Sequence, residues 1–147
     1  MDPFTFLGST DWKDYEVSVD ALLQEPGTVA VLGRIDSGRY WSDAAKPPIK
    51  FRWPSGYGLT VQQDGKWEVV TSSYKAPATR LAFGMAPFSH RKWHRLALAF
   101  EGSSIQASLD GTVVARVSDT SHKAGMAGFG SGWNRAQFDT FSVRRAE

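Results

Sequence analysis

Apolar and polar residues alternate along most of this chain, and a period of two leaves room for strands rather than helices. In Tyr15-Glu16-Val17-Ser18-Val19-Asp20-Ala21-Leu22-Leu23 the odd positions are apolar and most even ones polar, the pattern of a strand with one face buried. A one-residue slip would carry Glu16, Ser18 and Asp20 into the core, so the register is strongly specified. Glu25-Pro26-Gly27 breaks this strand, and Thr28 to Ile35 gives a second. Tyr57 to Gln63 and Trp67 to Tyr74 flank Asp64-Gly65, a hairpin-turn pair. Trp93 to Phe100 places Leu96, Leu98 and Phe100 on one face. Glu101-Gly102 then turns the chain, Ile105, Ala107 and Leu109 follow, and Asp110-Gly111 turns it again before Val113, Ala115 and Val117. Gly125 to Phe129 and Arg135 to Val143 complete the set. Asp-Gly turns between alternating segments predict an antiparallel meander. No segment keeps a helical period over several turns; Ser42-Asp43-Ala44-Ala45 has room for one short turn before Pro47-Pro48 stops it. The chain therefore reads as all-β, with about ten or more short strands closed into a two-sheet sandwich or a barrel.

Its 147 residues suit a single domain spanning 1–147, with no repeat or break in composition. Hydrophobic residues at 41% and charged residues at 22% exclude a disordered tail. No apolar run is long enough for a helical membrane span. Cysteine is absent, which removes disulfides, thiolate metal sites and cysteine nucleophiles together. The net charge of +2 and the dispersed basic residues argue against a nucleic-acid surface. Met1 to Leu7 lacks the basic start and long apolar stretch of a signal peptide.

The motifs of catalysis are missing. Gly128-x-Gly130-x-Gly132 precedes a strand, unlike a dinucleotide fingerprint, and Ser131 is not centred in a nucleophile elbow. His90 and His94 would lie about 13 Å apart along a strand, too far to share a zinc ion. Glu16 and Asp20 share a strand face with Ser18 between them and read as a solvated outer face rather than a glycosidase pair.

Aromatic residues carry the functional lead. Sugar rings present C–H faces that stack on flat side chains, while amides, carboxylates and guanidinium groups bind their hydroxyls. Of the six tryptophans, Trp12, Trp67 and Trp93 sit at strand starts and are expected in the core. Trp41, Trp53 and Trp133 lie in loop-like sequence. Arg39-Tyr40-Trp41 and Trp133-Asn134-Arg135 each set a ring beside polar binders, and these six are the candidate carbohydrate-binding residues. The alternative is a structural or protein-interaction sandwich whose loop rings plug its ends.

The segments Trp93-His94-Arg95-Leu96-Ala97-Leu98, Ile105 to Gly111, Gly125 to Gly130 and Ala136-Gln137-Phe138-Asp139-Thr140-Phe141-Ser142-Val143 resemble a concanavalin A-like, laminin-G-like sandwich. More narrowly, with Trp12, Tyr15 to Leu23 and Gly33-Arg34-Ile35, they resemble the C-terminal lectin domain of galactocerebrosidases, glycoside hydrolase family 59. The resemblance implies a jelly-roll of two antiparallel sheets. It implies a non-catalytic accessory domain of extracytoplasmic origin that binds carbohydrate, galactosides among them, beside a separate catalytic barrel for which this chain has no room. It also implies a structural calcium ion between the first loop and the last strand, at positions matching Ser9, Asp11 and Asp139.

Overall fold

The structure, a computed structural model, describes residues 3–36, 54–73 and 76–145. Eleven strands appear in the order β1 (Phe4–Leu7), β2 (Tyr15–Leu23), β3 (Thr28–Ile35), β4 (Gly56–Gln62), β5 (Lys66–Ser73), β6 (Ala76–Met85), β7 (Trp93–Glu101), β8 (Ser104–Leu109), β9 (Thr112–Ser118), β10 (Met126–Ser131) and β11 (Ala136–Arg145). They form a six-stranded sheet, β1-β10-β3-β4-β5-β6, and a five-stranded sheet, β11-β2-β7-β8-β9. All recorded pairings are antiparallel. The architecture is a β-sandwich, not a closed barrel, and the expected meanders are β3 to β6 and β7 to β9.

The core follows the alternation. Val17, Val19, Ala21 and Leu23 of β2 face inward with Leu96, Leu98 and Phe100 of β7 and Ile105, Ala107 and Leu109 of β8. They meet Val29, Val31, Tyr57, Leu59, Val61, Trp67 and Val69 of the other sheet. Each fully buried Val or Leu contributes about 1.5–3 kcal/mol relative to exposure. On the outer face of β2, Glu16 pairs with Arg144 at 2.7 Å and Asp20 with Arg95 at 3.0 Å. That is the outer face expected of them, and the ion pairs are an addition to that reading.

A bulge re-aims the last strand. The register of β11 on β2 shifts between Asp139 and Ser142, and Thr140 adopts a φ of 48°. Strict alternation would send Phe138 and Phe141 to opposite faces. The extra residue brings both onto Phe129, with ring centroids at 4.8 Å and 5.0 Å. The Thr140 amide donates to the Asp139 carboxylate at 2.7 Å, which braces the bulge.

Trp67 is buried and Trp12 packs half-buried against the core, as expected. Trp93 does not: it is 47% exposed. Leu96, Leu98 and Phe100 are inward, so the odd-numbered Trp93 points outward, opposite Leu22 of β2. The reading of the sequence also passed over two strands, β1 and β6. The expected helical turn at Ser42 to Ala45 lies outside the described residues.

Candidate functional site at the tryptophan end

The two ends of the sandwich are built differently. One end carries the connections 24–27, 63–65, 86–92, 110–111 and 132–135; the other carries 8–14, 102–103 and 119–125.

At the first end, the loop after β10 displays Trp133, which is 79% exposed. The residues around it are tightly held. The Asn134 side chain clasps the Thr28 backbone from both sides: its Oδ1 accepts from the Thr28 amide at 3.0 Å and its Nδ2 donates to the Thr28 carbonyl at 3.2 Å. The Gly132 amide also donates to that carbonyl, at 3.3 Å. The Arg135 amide donates to the Glu25 carboxylate at 2.8 Å, and the Gln24 amide to the Arg135 carbonyl at 3.2 Å. Gly27 makes the clasp possible, because a Cβ there would stand 2.1 Å from the Asn134 Cγ. Gln63 fixes the Gly27 amide at 3.0 Å. A large ring is thus held out to solvent on a backbone that is already ordered.

The six candidate sugar-binding residues separate in space. Trp133, Asn134 and Arg135 lie together in one loop, and Arg135 is exposed. Asn134 has both amide atoms on Thr28, so it positions the loop, and Trp133 is the ring left exposed. Arg39, Tyr40 and Trp41 lie outside the described residues, as does Trp53. Their described flanks, Asp36 and Pro54, stand at the far end, where the Asp36 amide donates to the Ser55 carbonyl at 2.9 Å.

That far end is organised around Arg34, a residue to which the sequence reading gave no role. Arg34 is 2% exposed. Its guanidinium donates to the carbonyls of Lys13 at 3.0 Å, Gly102 at 2.8 Å and His122 at 3.1 Å, and to the Asp14 carboxylate at 3.2 Å. Its φ of 50° is paired with a hydrogen bond from its amide to the Tyr15 hydroxyl at 2.6 Å. Burial pushes the Tyr15 phenol up to about 12. Burial and a 2.6 Å hydrogen bond to Asp119 also push the Tyr57 phenol up. His122 is held below its ordinary value, first by burial; its Nε2 lies 2.7 Å from the Ser72 carbonyl. One signal was present in the sequence: a single charged residue inside the apolar run Val29 to Ile35.

The implied calcium ligands do not assemble. Ser9 hydrogen-bonds to Asp11 in the first loop. Asp139 pairs instead across from Asp20, five residues beyond Tyr15 in β2 and about 17 Å along the strand. The β11 residues that share a cavity with Asp11 are Val143 and Arg145, neither of which offers a side-chain oxygen. Among the described residues, no group of three or more His, Cys, Asp or Glu converges to hold a metal ion. Calcium needs six to eight oxygens, and this set does not fit it.

Two antiparallel sheets, of six and five strands, define a β-sandwich. Solved structures share the fold: the carbohydrate-binding module CBM66 from Bacillus subtilis superposes with a TM-score of 0.77 at 19% identity, covering 98% of this chain and 83% of that one. A tetrameric galectin from the ball sponge Cinachyrella sp. gives 0.64 at 10% identity, covering 97% and 99% of the two chains. Sheep galectin-11 gives 0.62 at 9%, covering 97% and 96%. The family profile "Galactocerebrosidase, C-terminal lectin domain" matches residues 1–146, so the chain belongs to that family. No curated protein matches it.

Proposed function

We propose that this chain is a non-catalytic, carbohydrate-binding accessory domain of a galactosidase-type glycoside hydrolase. It would work beside a separate catalytic domain and bring that domain to its glycan. The observation that carries the reading is the exposed Trp133 on a loop fixed by Asn134 and Thr28. A pre-ordered ring loses little entropy on binding, so more of the stacking energy appears as affinity. Membership of a lectin-domain family supports the ligand class.

The carboxylates support the non-catalytic part. Asp14, Glu16, Asp20 and Asp110 are engaged with Arg34, Arg144, Arg95 and His94. A glycosidase needs two carboxyl groups facing one cleft with room for a sugar between them. Isothermal titration against galactosides and a wider glycan panel tests the proposal. Binding is expected, and Trp133→Ala should weaken it on the order of tenfold or more. Silence across the panel would overturn the reading in favour of a purely structural domain.

A further inference from the structure

The edge strand β6 departs from alternation. Trp67 and Val69 of β5 face the core, so their neighbours Lys66 and Glu68 face out, and so do their cross-strand partners Met85 and Phe83. Phe83 is 67% exposed and Met85 64%. Large apolar side chains in succession on a solvent face are the kind of exposure that marks a contact surface.

Polar groups surround them. Gln62, Lys66, Glu68 and Arg80 line one groove of about 450 Å³ with Phe83 and Met85. The Arg80 guanidinium lies 4.2 Å from the Phe83 ring centroid and 3.8 Å from the Glu68 carboxylate, which holds the ring in place. Lys66 has its own carboxylate, Asp64, at 3.5 Å. The groove therefore offers donors and acceptors, and each of its charges is paired: Arg80 with Glu68 inside it and Lys66 with Asp64 outside it. A charged ligand would have to displace an ion pair, whereas neutral hydroxyls both donate and accept and suit the mixture.

The groove begins one strand away from the tryptophan end, at Gln62 beside Thr28. Gly132 bonds Thr28, Thr28 pairs with Gln62, and Lys66 pairs with Met85. From Thr28 to Met85 the row crosses three strand spacings, about 14 Å. That span accommodates several sugar rings in line.

We infer that the Phe83–Met85 groove is a second contact for the same neutral oligosaccharide that Trp133 holds, so that the site reads chain length. This rests on the carbohydrate-binding proposal. Polar residues stand directly beside both apolar side chains, which leaves the strip narrower than the core of a protein interface.

The test uses ladders of galacto- and gluco-oligosaccharides, from monosaccharide to hexasaccharide, with the wild-type chain, Phe83→Ala and Trp133→Ala. Affinity should rise with length. Phe83→Ala should erase that rise, on the order of tenfold at the longest ligand, and leave the monosaccharide unchanged. Trp133→Ala should weaken every length. If wild-type affinity rises with length and Phe83→Ala follows the same curve, the second contact is wrong and the Trp133 site stands. If the wild type binds nothing on either ladder, both fall. Sedimentation supplies the other outcome: a dimer of the wild type that Phe83→Ala dissolves assigns the strip to a second copy of this chain and overturns the glycan contact.

Discussion

The two ends of this sandwich treat their most conspicuous side chains in opposite ways. At one end Arg34 is drawn inside and almost every donor it has meets a carbonyl or a carboxylate. At the other end Trp133 is pushed out and left uncovered. A buried guanidinium is tolerable only when it is well bonded, so the arginine end is polar, closed and intolerant of change. An exposed indole has no such requirement, and what is fixed there is the backbone beneath it. Closure at one end and display at the other keep the most heavily bonded buried charge apart from the most exposed ring.

The comparison breaks first, and hardest, at Arg34. Arg34→Ala strands three backbone carbonyls and one carboxylate, and should cost about 3–5 kcal/mol. A domain of this size has about 5–15 kcal/mol in total, so urea unfolding should show a large loss or no folded state. A loss under about 1 kcal/mol would mean that water replaces the side chain and the end is not closed.

The same end should feel alkali. The folded state holds the Tyr15 proton more tightly than the unfolded state, with a value of about 12 against 10. Its contribution is complete below pH 10 and is lost as pH rises toward 12, for about 2–3 kcal/mol in all. Tyr57 adds to the slope in the same direction. Tyr15→Phe should flatten part of the fall in stability measured across that range. His122 works in the opposite sense: its neutral form is favoured in the fold, so its contribution is present above 6.5 and declines as pH falls below it. Denaturation midpoints for His122→Asn should decline less on the acid side.

Sequence reading reached these two ends unequally. The strands β2 and β3 were legible to the residue, because their alternation is clean and Pro26-Gly27 punctuates it. Trp93 was misassigned for a local reason: its place at a strand start was weighed above its parity with Leu96 and Leu98, which already placed it outside. β6 was missed because Phe83 and Met85 put apolar residues on the wet face and blur the pattern. The loop position and exposure of Trp133 were legible because glycines isolate it in sequence. The role of Arg34 was not, because its partners Lys13, Asp14, Gly102 and His122 come from three distant loops. Asp139 was placed by resemblance alone, and only the register of β11 on β2 shows how far it lies from Asp11.

At the display end the expected effects are smaller. Asn134→Ala removes the partner of the Thr28 amide, leaves the Thr28 carbonyl with the Gly132 amide alone, and should cost about 1–2 kcal/mol. Gly27→Ala reaches the same result from the other side, since its Cβ would collide with the Asn134 side chain at 2.1 Å. Combining the two should cost less than their sum, because each breaks the one clasp. Full additivity in a double-mutant cycle would show that Gly27 and Asn134 act independently. Both variants should also weaken glycan binding, as the ring would then have to be ordered on contact.

Trp133→Ala should have the smallest effect on folding. With 79% of the residue exposed, little area leaves water when the chain folds, and the change should stay within about 0.5 kcal/mol. Its effect on binding should be the larger one, and that dissociation of the two readouts distinguishes a displayed ring from a packed one. Urea unfolding and glycan titration on the same preparation make the comparison. If removing the indole costs 2 kcal/mol or more of stability, the ring is packed in solution and the surface offered to a sugar is not there. If stability holds while affinity drops, the contrast with Arg34 is complete: one residue whose loss unfolds the domain without touching ligand, and one whose loss releases ligand without unfolding the domain.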